Sequence, residues 1–314
     1  MNTPDWSWPR CRVVPLPDYQ VAFEVDGQER LRWHFGRHYP RPFFYPLRGP
    51  SGQPLTRMGH PGAPNHDHHR SIWFAHHRAM GIDFWSDTTP AHIRQLGWLA
   101  YQDGEHAAMA ADLAWYDGHD PQPLLKQRLI VAVHPGPQPG ETLVELDSEF
   151  RPEAEQFEFG QTNFGFLAVR VASHLSAFFG HGRLRDSEGR QGEKEIFGQT
   201  ARWMDYSGPA PPDQSSFHEE GICYFDHPSN PRYPNSWHVR DDGWMGAAVC
   251  LKGPLTCGNQ QPLRLRYLLW AHAGPCNPDQ ANHLAKWFAD LPPWKLHRPP
   301  TPHRTWEIVR DAAG

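Results

Sequence analysis

Proline and glycine punctuate this chain from end to end. Its 33 prolines and 27 glycines are spread along 314 residues rather than pooled in one linker. Proline lacks the amide proton a helix interior needs, and glycine loses the most backbone freedom on ordering. So broken a chain disfavours long helices and suits many short strands joined by turns. The stretches between breaks agree. Val21–Val25 alternates apolar and polar, Asp26-Gly27 offers a hairpin turn, and Arg30–Phe35 alternates again. The same reading predicts strands over Arg70–His77, Gln95–Tyr101, Met109–Tyr116, Leu124–Val133, Leu143–Phe150, Phe164–Ala172, Ala201–Tyr206, Gly221–Phe225, Trp237–Arg240 and Leu263–His272. Tyr39–Leu47, aromatic and proline-broken, fits an edge strand or an extended loop lining a cleft. Gly180–Gly192 reads as a hairpin region and Pro209–Ser216 as a surface loop.

Only the end of the chain reads as helix. Asn277 can cap it, Pro278 suits its first position, and Leu284, Trp287, Phe288 and Leu291 make an apolar stripe. Roughly fifteen strands and one C-terminal helix predict an all-β protein, a large antiparallel two-sheet β-sandwich. One domain over residues 1–314 is expected, with 1–20 and 299–314 as peripheral extensions.

Charge and composition exclude several classes. The net charge is −5 with histidine neutral, so there is no basic surplus for nucleic acid. No apolar run approaches the roughly 18 residues of a membrane helix. The Met1–Trp6 terminus lacks a basic region followed by an apolar stretch, and five cysteines without a CxxC pair read as free thiols, so a cytoplasmic protein is expected. There is no GxGxxG, no P-loop and no GxSxG, which disfavours nucleotide cofactors and serine-hydrolase chemistry. A homo-oligomer stays open.

Six of the 21 histidines fall between His60 and His77. Imidazole titrates near neutral pH and both donates and accepts hydrogen bonds, and no packing need calls for so many in one run. On the predicted strand Arg70, Ile72, Phe74 and His76 share one face, while Ser71, Trp73, Ala75 and His77 share the other. His66 and His68 have a two-ligand metal spacing, and His76, Asp83, His227 or His238 could complete it. The direct alternative has the imidazoles and Arg70 holding a polyol and moving protons. A second dense polar stretch runs from Asp226 to Arg240, with three prolines to stiffen it. In its last strand His238 and Arg240 share a face opposite Trp237 and Val239. Glu193, or Asp205 between aromatics, could give an imidazole its carboxylate partner. The 14 tryptophans supply core area and also suit sugar clefts, where an indole stacks on a pyranose face.

Three ordered strings carry a resemblance. They are Phe43-Phe-Tyr-Pro-Leu47 with Pro54-Leu-Thr-Arg57, then His66-Asp-His-His-Arg-Ser-Ile-Trp73-Phe-Ala-His76, then Gly81-Ile-Asp-Phe-Trp85. With Gly198–Gly208, Asp226–Arg232, Trp237–Arg240 and Leu265–Gly274, the chain from about residue 39 to residue 290 resembles a bacterial family of unknown function that has carried the label "methane oxygenase PmoA". A membrane methane oxygenase subunit needs spanning segments, so the label reads as a misassignment. The resemblance implies a sandwich similar to galactose mutarotase, in bacteria that degrade glycans. Gln127 stands where that pattern tends to carry an acidic residue.

The leading expectation is a carbohydrate-active enzyme of epimerase, lyase or hydrolase type, with no cofactor and a sugar or glycoside as its partner. His69, His76 and His238 are its acid–base candidates, with Asp205 or Glu193 as partner. His68, Arg70, Trp73, Trp85, Arg170, His227, Asn230, Trp237 and Arg240 are its binding candidates. A histidine-ligated metal enzyme and a non-catalytic glycan-binding module are the alternatives.

Overall fold

The computed structural model describes residues 8–60, 63, 66–211, 218–300 and 302–311. Parts of three expected segments lie outside the described residues: the Met1–Trp6 terminus, residues 61, 62, 64 and 65 of the histidine run, and 212–216 of the Pro209–Ser216 loop.

Two eight-stranded antiparallel sheets make up the body. The first runs in the order β1 (Cys11–Leu16), β2 (Gln20–Val25), β3 (Gln28–His34), β4 (Phe43–Leu47), β5 (Ile72–His76), β11 (Gly165–Arg170), β16 (Trp244–Ala247), β15 (Trp237–Arg240). The second runs β12 (Arg183–Asp186), β13 (Trp203–Pro209), β14 (Glu219–Asp226), β18 (Leu263–Ala273), β9 (Thr142–Pro152), β8 (Leu125–Pro135), β7 (Ala107–Tyr116), β6 (His92–Gln102). Two short pairs join β10 (Phe157–Phe159) to β17 (Leu255–Cys257) and β19 (Trp294–His297) to β20 (Glu307–Arg310).

The period of two along each strand sorts side chains into layers. Phe23, Leu31, Ile72, Phe74, Val169 and Val239 of the first sheet meet Leu129, Val131, Val144, Leu146 and Leu269 of the second in one continuous core. The outer face of the second sheet is covered too. Trp203, Phe225, Leu268 and Trp270 pack on Ala281, Leu284 and Phe288 of α2 (Pro278–Asp290). Ala108, Ala110, Ile130 and Ala132 pack on Trp294 and Ile308 of the β19–β20 hairpin. The outer face of the first sheet carries Phe43, Trp73, Ala75, Ala168 and Trp244, and a pocket opens there. The helix begins as its sequence dictates: the Asn277 side chain accepts the Asp279 and Gln280 amides at 3.1 and 3.2 Å.

Two expectations need correction. Residues 1–20 are not wholly peripheral, because Cys11–Leu16 is an outer strand of the first sheet and buries Cys11 and Val13 in the core. Residues 307–310 likewise pair with β19. Tyr39–Leu47 supplies no edge strand: β4 lies between β3 and β5, and its sparse ladder, with only Phe44 opposite Ile72 on the β5 side, leaves room for Pro46. The Gly180–Gly192 stretch does turn back as a hairpin, with an antiparallel bridge between Arg185 and Gln191 after β12, and leads into a short helix, α1 (Gly192–Ile196).

Candidate functional site

A cavity of about 430 Å³ opens on the outer face of the first sheet. Its floor is aromatic. Trp85 and Trp244 line it, and Trp73 of β5 lies fully buried beneath them. The three rings form a near-equilateral triangle, with centroids 5.4, 5.3 and 5.3 Å apart. Trp85 owes its place to Asp83, whose Oδ1 accepts the Trp85 and Ser86 amides at 2.7 and 3.0 Å and whose Oδ2 accepts the Ser86 hydroxyl at 2.6 Å. All three indole N–H groups are buried without a hydrogen-bond partner among the described residues. A buried orphan donor is costly, and three in one cluster are unusual for a packed core.

The walls come from four segments. His66, His68 and His69 stand on the loop before β5, and Arg170 ends β11. His238 and Arg240 project from β15, and Asp242 from the turn after it. His69 lies over Trp73 and against Trp244, at centroid distances of 5.7 and 5.1 Å, with Nδ1 unpartnered among the described residues. Burial first, then the neighbouring His68 and Arg170, drives its pKa far below the ordinary imidazole value. His238 donates Nδ1–H to the Asn163 carbonyl at 3.0 Å, which leaves Nε2 as the lone-pair nitrogen. Burial, reinforced by Arg240, pushes its pKa down to about 3. Both rings are therefore neutral hydrogen-bonding groups at physiological pH.

Arg170 is 1% exposed and grips Asp242 with two bonds of 2.8 and 3.1 Å. Burial alone would raise the Asp242 carboxyl, but the Arg170 bonds and charge, with His60 at 3.1 Å, hold it below its usual range. Arg240 is steadied from behind, with Nη1 2.8 Å from Glu193 Oε1, while Glu193 Oε2 accepts the Asp241 amide at 2.9 Å. His77 also lines the pocket. It is half-exposed, and its Nε2 lies 3.9 Å from Asp83 Oδ2. At that separation the imidazole and the carboxylate are within ion-pair reach but not hydrogen-bonded, and Asp83 keeps its bonds to Trp85 and Ser86.

Folding brings together the His66–His69 loop and the His238–Arg240 strand, which lie far apart in the chain, with Trp85 and Arg170 between them. It leaves the other candidates elsewhere. His76 points into the core between Phe159 and Phe166, because its face of β5 is the one turned to the second sheet. Arg70 precedes Ser71, whose φ of 58° breaks the strand alternation; the guanidinium turns to Asp87, with one bond of 3.2 Å, and lies over Tyr39. Trp237 belongs to the core, packing on Tyr224 and donating to the Ala201 carbonyl at 2.9 Å.

Asp205 lies on the outer face of the second sheet, on the far side of the core. There it accepts from His272 at 2.8 Å, and both are fully buried in the layer under α2. His227 and Asn230 are on that side too. His227 contacts the Phe288 carbonyl and Arg266, while Asn230 ties Asp226 to the Arg266 backbone. The reason is topological: the Asp226–Arg240 loop crosses from β14 in the second sheet to β15 in the first, so only its last strand reaches the pocket. Glu193 touches Arg240 rather than the cavity and acts at one remove. Gln127 is a core residue bonded to Trp115 and Ser148, so the departure at that position does not touch the pocket.

Sequence reasoning missed Trp244, Asp242, Phe164 and the acid–base potential of His77. The Asp241-Asp242-Gly243 hairpin turn directly after the His238–Arg240 strand was a usable signal for the first two. Facing residues on the next strand share a side, so the residue after such a turn falls beside Arg240. His66 and His68 have ring centroids 6.0 Å apart, and among the described residues no group of three or more His, Cys, Asp or Glu is placed to hold a metal ion. Among the described residues, no helix is long and apolar enough to cross a membrane.

Fold and pocket together define a two-sheet all-β protein with a histidine- and tryptophan-lined cavity on the outer face of one sheet. The chain belongs to the Family of unknown function (DUF6807), whose model matches residues 20–286. No curated protein matches it. Among solved structures it is similar to the alpha-galactosidase from Lactobacillus brevis at 8% identity and a TM-score of 0.39, over 82% of this chain and 38% of that one. The chain thus spans well under half of that enzyme's length.

Proposed function

We propose that the pocket binds a sugar or glycoside and performs acid–base chemistry on the bound ring. One arrangement carries the reading. Two lining indoles with orphan N–H groups, two neutral buried imidazoles and the Arg170–Asp242 pair converge on a cavity of about 430 Å³. Apolar faces ringed by fixed donors and acceptors match a pyranose, which has apolar faces and a hydroxyl edge.

The roles follow from burial. His69 and His238 are held neutral, so they suit fixed contacts to hydroxyl groups better than they suit carrying protons. His77 has solvent access and Asp83 beside it, and is the proton carrier in this reading. Arg240, braced by Glu193, binds an outer oxygen of the ligand.

The test is a panel of monosaccharides and methyl glycosides followed by tryptophan fluorescence and by NMR of the sugar. Trp85 and Trp244 line the cavity, so binding should change the emission. His77→Gln should lose about a hundredfold or more in turnover with binding retained, the range expected for one acid–base group. His238→Gln should weaken binding instead. Full turnover in the His77 variant would remove the acid–base assignment. Binding with no turnover across the panel would leave a glycan-binding module. Turnover lost to a chelator and restored by added metal would favour a metal enzyme.

A further inference from the structure

Three of the exposed large apolar side chains touch residues tied to this pocket: Phe197, 37% exposed, packs on the pocket residues His238 and Arg240, while Phe179, 39% exposed, packs on His60 and on Phe178, which is 73% exposed. Phe197 follows α1 and packs its ring against His238 at 5.5 Å, with the Arg240 guanidinium stacked on it at 4.6 Å. His238 and Arg240 both line the pocket, and the Arg240 side chain is 41% exposed, so Phe197 sits at the solvent edge of the cavity. Phe178 and Phe179 are fixed to the same turn, since the Phe178 amide donates to the Asp241 carbonyl at 2.8 Å. Asp241 Oδ1 in turn accepts the Glu193 amide at 3.0 Å, which anchors the helix that ends at Phe197. The turn at Asp241 thus links Phe178 to the helix that ends at Phe197, and Phe197 meets the pocket through His238 and Arg240. Exposed apolar surface grouped at a pocket edge is a mark of ligand contact.

We propose that the site has an outer subsite in which a second ring of the ligand stacks on Phe197, so that its substrate is a glycoside carrying such a ring rather than a free monosaccharide. In this reading one ring of the ligand occupies the inner cavity, and Phe197, with Arg240 stacked on it, offers an apolar surface to the next. The proposal rests on the sugar-binding reading of the inner pocket.

Methyl and phenyl β-glycosides of glucose, galactose, xylose and glucuronic acid, titrated as matched pairs by calorimetry, test it. For whichever sugar binds, the phenyl glycoside should bind about five- to tenfold tighter than the methyl glycoside, the range expected for one added aromatic contact. Phe197→Ala should abolish that gap, whatever it does to the methyl glycoside through His238 and Arg240, and Phe197→Tyr should keep it. Equal affinities within each pair, or a Phe197→Ala loss that falls equally on both, would overturn the outer subsite while the inner pocket stands. No binding by any of the eight glycosides would overturn both. A concentration-dependent dimer dissolved by Phe197→Ala would assign the strip to a second copy of the chain and likewise overturn the subsite.

Discussion

Replacing His76 by Phe should flatten the acid side of the protein's stability profile. His76 is fully buried in β5, with its ring against Phe159 and Phe166. Its Nδ1 accepts the Arg78 amide at 3.1 Å, so that nitrogen carries no proton. A second proton would break this bond inside the core. Burial, with His77 as a lesser cause, accordingly depresses its pKa to about 3. An unfolded histidine titrates near 6.5, so the group's folded value is lowered and its neutral form is the native one. Acidification then favours the unfolded chain: the stability that His76 permits at pH 7 drains away as pH falls below about 6.5 and is fully lost only below about 3. Between pH 7 and pH 5 the unfolded side chain binds its proton almost completely and the folded one does not. Linkage makes this about 2 kcal/mol for the single residue, to order of magnitude. Urea unfolding of wild type and His76→Phe at both pH values measures it. The variant should lose about 2 kcal/mol less than wild type over that interval. Equal pH losses in the two proteins would refute the buried neutral imidazole, whatever the variant does to stability at pH 7.

Three further outcomes separate the pocket from the scaffold. Asp205→Asn removes one charge from the fully buried pair with His272 and should lower unfolding free energy by about 3 kcal/mol, read by urea melts, with ligand affinity per folded molecule unchanged. Full stability with lost binding would show that Asp205 belongs to the site after all. Glu193→Gln releases a half-exposed brace on Arg240, so KM should rise by no more than about fivefold with kcat nearly constant; a collapse of kcat would make Glu193 a catalytic group. Trp85→Phe keeps a ring in the floor but deletes one orphan donor, and should weaken ligand binding about fivefold, the worth of one net hydrogen bond. Unchanged affinity in a fluorescence titration would mean that this indole N–H never meets the ligand.

The sequence by itself determined the strand character of this chain, the C-terminal helix with its Asn277 cap, and the histidine run and Trp237–Arg240 strand as places of interest. These are local properties. Alternation reports that one face of β15 differs from the other, and His238 and Arg240 do turn away from Trp237 and Val239. A cap and a proline at the first turn are likewise read within a few residues.

Only the tertiary structure decided which face was which. Alternation assigned His76 and His77 to opposite sides of β5, but the second sheet covers one side, so His76 became core and His77 lines the pocket. Asp205, His227 and Asn230 lie away from the pocket; a buried polar network reads in sequence just like a polar site. Their hydrogen-bond partners, His272, Arg266 and Asp226, come from other strands or from the start of the crossing loop. Sheet order also hid the seating of β4, since pairing between distant strands leaves no local signal. The triangle of Trp73, Trp85 and Trp244 draws on residues from a strand, a turn held by Asp83 and a strand well over a hundred residues onward, and the folded chain alone places them within 5.4 Å of one another.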